Sequence, residues 1–395
     1  MAILAVNAGS SSLKFSLHPL EGDATGPASL TGVIEGLEPH GAPRMRWTEG
    51  AGKRERALPA GDGEPFPRAL SALREWLQAS GLPAPQAVAH RVVHGGAEFS
   101  ASVFVDDAVL ERLQRFNSLA PLHQPHNLAG IRAFMEAFAG VPQVACFDTA
   151  YHADAPALHQ AFALPYALTV QGVRRYGFHG LSYQYIIGEL LARSERARGR
   201  TLMAHLGNGA SLCAAIGGRS VASTMGFSAL DGLMMGSRSG ALDPGVLLYL
   251  MEQGWTHAQI ERLLYKDSGL LGVSGVSADM RTLRAEGSAD AQRAIALFTH
   301  RVVRESGAMV ACLQGLDVLA FSGGIGEHDA ALRADACAAL GWLGVRLDAA
   351  ANAAATGEKS AAIHAPGSFV EVWVVPTDEG RVAAREAASL LKGRA

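Results

Sequence analysis

Three stretches of this 395-residue chain join an apolar run to a turn of very small residues. They are Ala8-Gly9-Ser10-Ser11-Ser12, Gly207-Asn208-Gly209-Ala210-Ser211 and Ser322-Gly323-Gly324-Ile325-Gly326. A turn without side-chain bulk lets backbone N–H groups approach an anion, and glycine tolerates the positive φ that such cradles use. The same residues also make ordinary hairpins, Asn-Gly above all. None of the three fits the P-loop or dinucleotide fingerprint. Their recurrence after three apolar strands is what points to a nucleotide polyphosphate. Lys14 follows the first turn, placed either to meet a phosphate as a point charge or to lie solvated on its strand.

Cations and acids accompany these turns. Arg91 interrupts an apolar strand-like run, and Arg238 sits among glycines. Arginine so placed suits a bidentate clamp on a carboxylate or phosphoryl group. Asp148 and Glu379 fall at strand-to-helix junctions, where a hard cation or a proton acceptor would sit. Glu379 suits the first turn of a helix equally well. His94, His123, His126, His179 and His205 lie in or beside glycine- or proline-rich loops, and at least one is expected to reach a phosphate.

Apolar periodicity supplies the elements that must hold these groups. Strands are expected over 3–6, 15–17, 87–93, 141–147, 317–321 and 369–375, and a further one over 31–37. Helical spacing appears at Phe66, Leu70, Leu73 and Leu77, and again at Leu128, Ile131, Phe134 and Phe138. Asp106 or Asp107 could cap another helix, and Thr377 or Asp378 the last one. Helices are also expected over 183–193, 256–265 and 289–312, and from about 329. Residues 119–127 read as irregular because of Pro121 and Pro125. Residues 223–245 form a long glycine-rich loop whose Met and Phe content argues against disorder. Aligning Leu13 with Leu212 pairs residues 8–13 with 207–212, an echo that suggests two related halves.

Length and composition set bounds. The chain is long enough for two domains, with a boundary expected close to Thr149. Hydrophobic residues make up 49% and charged residues 18%, an ordinary globular balance. A net charge of -3 with no basic run argues against nucleic acid, and no apolar run reaches membrane-span length. The N-terminal stretch lacks the pattern of a signal peptide. Cys146, Cys213, Cys312 and Cys337 have no paired spacing and read as buried, reduced thiols. A cytoplasmic location is expected.

With these residues collected, the chain resembles the acetokinase family over essentially its full length. The segments that carry the likeness are NAGSSSLK (7–14), HRVVHGG (90–96), LAPLHQPHN (119–127), FDTAYH (147–152), RRYGFHGLSY (174–183), AHLGNGASL (204–212), STMGF (223–227), GSRSG (236–240), SGGIGE (322–327) and PTDEG (376–380). The resemblance implies an α/β fold of two similar ribonuclease-H-like (actin-like ATPase) domains hinged around a nucleotide cleft. The first domain would cover 1–149, with a returning helix over 381–395, and the nucleotide-binding domain 150–380. The reaction it implies is direct, in-line and reversible phosphoryl transfer from ATP to acetate, giving acetyl phosphate and ADP. Mg2+ is the implied cofactor, with Mn2+ as a substitute, and a homodimer is the implied assembly.

Residue by residue, the likeness casts Arg91 and Arg238 as clamps on the acyl carboxylate and the phosphoryl group. It casts His179 as the transition-state stabiliser and Asp148 as the acid of the catalytic centre. Asn7 and Glu379 match the magnesium site, and His123 a position near the phosphates. Ser12, Lys14, His205, Gly207, Asn208, Gly209, Asp279, Met280, Arg281, Gly324, Ile325, Gly326 and His328 match the nucleotide contacts. Val93, Leu122 and Phe178 match the acyl pocket, joined by Ala229 where the family usually has proline. Ala241 and His328 also depart from the family pattern. A carboxylate needs no base to act as nucleophile, so Asp148 reads better as an orienter than as a proton acceptor. Propionate or butyrate kinase on the same scaffold is the alternative. A sugar kinase, or a non-enzymatic actin-like or heat-shock-like switch, stands further off.

Overall fold

The computed structural model describes residues 1–9, 11–21, 24–38, 41–50, 52–58, 65–121 and 123–394. The chain forms two compact units. One joins Met1–Ala150 to Asp378–Ala395, and the other is Tyr151–Thr377.

The first unit is built on a mixed sheet. Its strands are β1 (Ala2–Ala8), β2 (Ser12–Glu21), β3 (Ala24–Thr25), β4 (Leu30–Glu35), β5 (Arg44–Glu49), β6 (Gly52–Ala57), β7 (Pro85–Val92), β8 (Val103–Phe104) and β9 (Gln143–Phe147). They run in the order β6-β5-β4-β2-β1-β7-β9-β8, with β3 paired to β2. β1 lies antiparallel to β2 and parallel to β7, and β7 lies parallel to β9. All of β1 from Ala2 to Val6 is buried, as a strand covered on both faces requires. Leu70, Leu73 and Leu77 of the helix Pro65–Ala79 close one side of that core against Leu4, Phe15 and Leu17.

The second unit carries β10 (Arg200–Leu206), β11 (Ala210–Ile216), β12 (Arg219–Ser223), β13 (Val318–Ser322), β14 (Ala361–Ala362) and β15 (Glu371–Val374). Their order is β12-β11-β10-β13-β15-β14. β10 is antiparallel to β11 and parallel to β13, and β13 is parallel to β15. This repeats β4-β2-β1-β7-β9-β8 strand for strand and direction for direction. The sequence echo therefore marks two copies of one sheet plan. The ungapped pairing of 8–13 with 207–212 does not carry across both strands. The first hairpin closes on Ala8 opposite Leu13, and the second on Leu206 opposite Ala210, one loop residue shorter.

Other expectations are corrected by local chemistry. The stretch 119–127 is not irregular throughout. The helix Gln124–Ala137 begins inside it with Pro125 in the first turn, where the missing N–H has no intrahelical partner to lose. The third small-residue turn is itself helical, Gly323–His328, and Asp329 then caps a second helix, Ala330–Ala339. Gly323 has φ +73°, and a side chain there would meet the Leu206 backbone at 2.7 Å. The helix expected over 183–193 starts earlier, at Gly180.

Asp378 is the cap of the last helix, Glu379–Lys392, and accepts from the Arg381 N–H at 2.9 Å. Val382, Ala383, Ala384, Ala387 and Ala388 form its buried face, small enough for the helix to lie close on β1 and β7. Its packing places Glu379 in the first unit although the residue is encoded after the second. The four cysteines are unpaired, and Cys312 is half-buried rather than buried. Among the described residues no helix is long and apolar enough to cross a membrane.

Two histidines tie stability to pH. His90 donates to Gln143 Oε1 at 2.7 Å, and His152 bridges Ser220 Oγ (2.7 Å) and the Phe178 carbonyl (3.0 Å). Burial pushes each down to about 4, against those hydrogen bonds. The fold therefore binds these protons less tightly than the unfolded chain. Their contribution is complete above pH ~6.5 and is lost as pH falls toward 4, at up to about 3 kcal/mol each. Urea unfolding at pH 7 and pH 4.5 should show that loss, and His152→Gln should shrink the difference between the two pH values. An unchanged difference would count against the assignment.

Candidate active site

Parallel strands deliver side chains at their C-terminal ends, where open α/β sheets bind ligands. In the first unit these ends belong to β1, β7 and β9. They carry Asn7, then Arg91 and Val93, then Asp148, whose N–H bonds the Val92 carbonyl at 3.0 Å. Asn7, Ser12, Lys14, Arg91, Val93 and His123 line one cavity of about 300 Å³, joined by Ser11, His126 and Asn127. Lys14 lines this cavity and is exposed. Leu122 lies outside the described residues.

Arg91 is held in a fixed attitude. Its Nε donates to Asp148 Oδ1 at 3.1 Å and its Nη2 to Oδ2 at 2.6 Å, a bidentate pair. Glu379 Oε2 stands 3.3 Å from the same Nε. Burial opposes the charge on Arg91, but Asp148 and Glu379 outweigh it and raise its basicity. Burial also pushes Asp148 up to about 6, with Arg91 pulling it down and Glu379 adding to the rise. Asp148 is only 1% exposed, with both carboxylate oxygens on Arg91.

The fold holds the Asp148 proton more tightly than the unfolded chain does. This stabilising contribution is complete below pH ~4 and lost as pH rises through about 6. The melting temperature of the wild type relative to Asp148→Asn should therefore fall as pH rises from ~4 to ~7.5 in metal-free buffer. A difference that does not change with pH in calorimetry would mean that the Arg91 pair offsets the burial.

Asn7 and Glu379 supply oxygen donors in this unit. Mg2+ takes one or two carboxylates together with waters and substrate phosphates, so the donor set fits that ion. Asn127, a residue not singled out from sequence, braces the cavity. Its Nδ2 donates to the Ala8 carbonyl at 2.9 Å, and its Oδ1 accepts from the Val93 N–H at 3.1 Å. His94 is fully buried and accepts from the Gly96 N–H, which makes it a structural member of the five histidines.

The second unit gathers another group. His179 precedes the helix Gly180–Leu191 in the left-handed region, φ +59°. Its Nδ1 lies 2.8 Å from Ser211 Oγ, and its ring stacks on His205 at 4.3 Å. A side chain at Gly209 would stand 3.3 Å from His179 Nε2 and 3.7 Å from Arg238 Nη2, so both groups border that glycine. Arg238 Nη1 donates to the carbonyl of half-buried Ala229 at 2.7 Å. The long loop is pinned to the 207–209 turn by the Gly236 N–H, which bonds the Asn208 carbonyl at 3.0 Å. A side chain at Gly236 would run into the Asn208 amide oxygen. Phe178 is buried, with its carbonyl on His152.

The remaining matches are arranged differently from a set of side-chain contacts. Asp279 caps the helix Met280–Glu286 and binds the Arg281 guanidinium, and Met280 is buried. Gly324, Ile325, Gly326 and His328 lie on the short helix after β13. That helix is braced by Glu327, whose Oε1 accepts from the N–H groups of Gly323 (2.9 Å) and Thr377 (3.1 Å). Fully buried Arg333 donates to the carbonyls of Gly326, Glu327, Asn352 and Ala355.

The likeness to known proteins runs over essentially the whole chain. The Acetokinase family matches residues 2–385. A protein named acetate kinase from Rhodopseudomonas palustris is 48% identical over 397 residues, covering 99% of this chain and 98% of its own length. One from Nitrobacter hamburgensis is 45% identical, covering 100% of this chain and 97% of its own. The crystal structure of Porphyromonas gingivalis acetate kinase superposes with a TM-score of 0.87 at 35% identity, covering 99% of both chains. A propionate kinase from Francisella tularensis gives the same TM-score and identity, with 98% of both chains covered. The chain belongs to the acetokinase family.

Proposed function

We propose that the protein is an acetate kinase, transferring the terminal phosphoryl group of ATP to acetate, reversibly and in line, to give acetyl phosphate and ADP. The observation that carries this reading is Arg91, locked on Asp148 and Glu379 at the wall of a cavity that also presents Lys14 and His123. The chemical difficulty is bringing two anions together, and positioned cations answer it. Arg91 and Arg238 clamp the carboxylate and the phosphoryl oxygens, and His179 donates to the transferring group. His123 stands near the phosphates. By family likeness, Val93, Leu122, Phe178 and Ala229 are the residues assigned to the acyl methyl group. The nucleotide is held by Ser12, Lys14, His205, the 207–209 turn, residues 279–281 and 324–326, and His328. Asn7 and Glu379 would hold Mg2+, or Mn2+ in its place, and the bound ion would neutralise phosphate charge.

Propionate is the second reading, because Ala229 is smaller than proline and each added buried methylene is worth ~0.8 kcal/mol. Acyl phosphate formation from Mg-ATP, trapped with hydroxylamine, tests both readings with acetate, propionate and butyrate. No product from any of them would overturn the proposal.

The working form is a cytoplasmic homodimer. The support for the dimer is the helix Pro244–Glu252, which has no buried residue and leaves Leu248 62%, Tyr249 59% and Met251 54% exposed. Leu248→Glu should halve the mass seen by light scattering. A wild-type monomer would remove this part of the reading.

A further inference from the structure

His179 is placed with unusual care. It is one of two non-glycine residues with positive φ among the described residues, a conformation that costs energy and persists where surrounding structure enforces it. Its Nδ1 meets Ser211 Oγ at 2.8 Å, and that oxygen meets Tyr183 Oη at 2.5 Å. Tyr183 and Ser211 are both fully buried. A one-turn offset on the helix Gly180–Leu191 brings Tyr183 back beneath His179, and the second residue of β11 supplies Ser211.

Counting protons along this chain gives its direction. Suppose His179 carried its proton on Nδ1 and donated to Ser211. Either the serine or the phenol proton would then be left in the interior with no acceptor among the described residues. Only one arrangement pairs every hydroxyl proton: Tyr183 donates to Ser211, and Ser211 donates to Nδ1. The uncharged ring then carries its hydrogen on Nε2, the nitrogen that borders Gly209 and Arg238. The partner of one ring nitrogen sets the role of the other.

We propose that Tyr183 and Ser211 are positioning residues that hold His179 as the Nε2–H tautomer and aim that N–H at the transferring phosphoryl group. The second half of this statement rests on the role given to His179 under the proposed function. The alternative tautomer would turn a lone pair toward an anion. The stack on His205, whose Nδ1 lies 2.8 Å from Ser182 Oγ, holds the plane of the ring.

The test combines spectroscopy with kinetics. Nitrogen-15 NMR of histidine-labelled protein, with His179 identified through His179→Gln, reads the tautomer directly. In the wild type the ring should be Nε2–H. In Ser211→Ala it should become a mixture, with kcat down about 10- to 100-fold and KM values little changed. Ser211→Thr, which keeps the hydroxyl, should restore both. Tyr183→Phe removes only the first donor and leaves the serine proton with Nδ1 as its acceptor, so the ring should stay Nε2–H there, and this variant serves if the alanine variant fails to fold. In a His179→Gln background Ser211→Ala should add no further loss. An unchanged tautomer in Ser211→Ala, a switch to Nδ1–H in Tyr183→Phe, or an equal loss in both backgrounds, would overturn the proposal. A fully active His179→Gln variant would overturn the catalytic role of His179 and with it the aim at phosphoryl, while the NMR result would still decide the relay.

Discussion

Arg91→Ala should lower kcat/KM for acyl phosphate formation by about 10³-fold, or ~4 kcal/mol of transition-state stabilisation, the size expected for a lost charge clamp. The structure makes the loss more than one missing cation. Without Arg91, two carboxylates remain at a place that must receive two anions. The pH profile separates this from general damage. In the wild type, Asp148 takes up a proton below about 6 and loosens its hold on Arg91, so kcat/KM falls on the acid side. In Arg91→Ala the same protonation relieves repulsion, and the residual rate should not fall there. Arg91→Lys should recover only part of the loss, because an ammonium cannot reproduce the fork on Asp148. Near-normal turnover by the alanine variant would sink the assignment.

The second large effect is at Arg238. Arg238→Ala should cost about 10²- to 10³-fold, expressed in kcat rather than in KM for the acyl acid. The side chain is half-buried and rises from a loop, with one nitrogen on the Ala229 carbonyl. Removing it leaves that carbonyl to solvent, so the melting temperature should move by no more than a few degrees. A change confined to KM would make Arg238 a ground-state binder. A large fall in stability would make it a structural strut.

These expectations began with residues whose surroundings are local in sequence. Arg91 inside an apolar strand, Asp148 after another, and the glycine turns are visible because strand periodicity and turn chemistry act over a few residues. The doubled sheet plan was legible for the same reason, through two strand–turn–strand segments. β5 and β6 were not. All six residues of Gly52–Ala57 are exposed, so no alternation marks them, and they are strand only by pairing with β5. Glycines weigh against helix, which hid Gly323–His328, and two prolines hid the start at Gln124. Ser211, Tyr183, Asn127 and Arg333 went unread because each acts on a residue or carbonyl brought near by folding. Asn127 reaches Ala8 across 119 positions of chain.

The last helix carries an implication for how the molecule is made. The second unit is a single run of chain, Tyr151–Thr377, whereas the first lacks one layer until Glu379–Lys392 has been synthesised. During translation the early sheet must wait with β1 and β7 uncovered while the later unit can already close. Glu379, a proposed ligand for the ion, reaches Arg91 only in that final act. A chain that stops short of residue 379 therefore lacks both the helix that covers β1 and β7 and the carboxylate that meets Arg91.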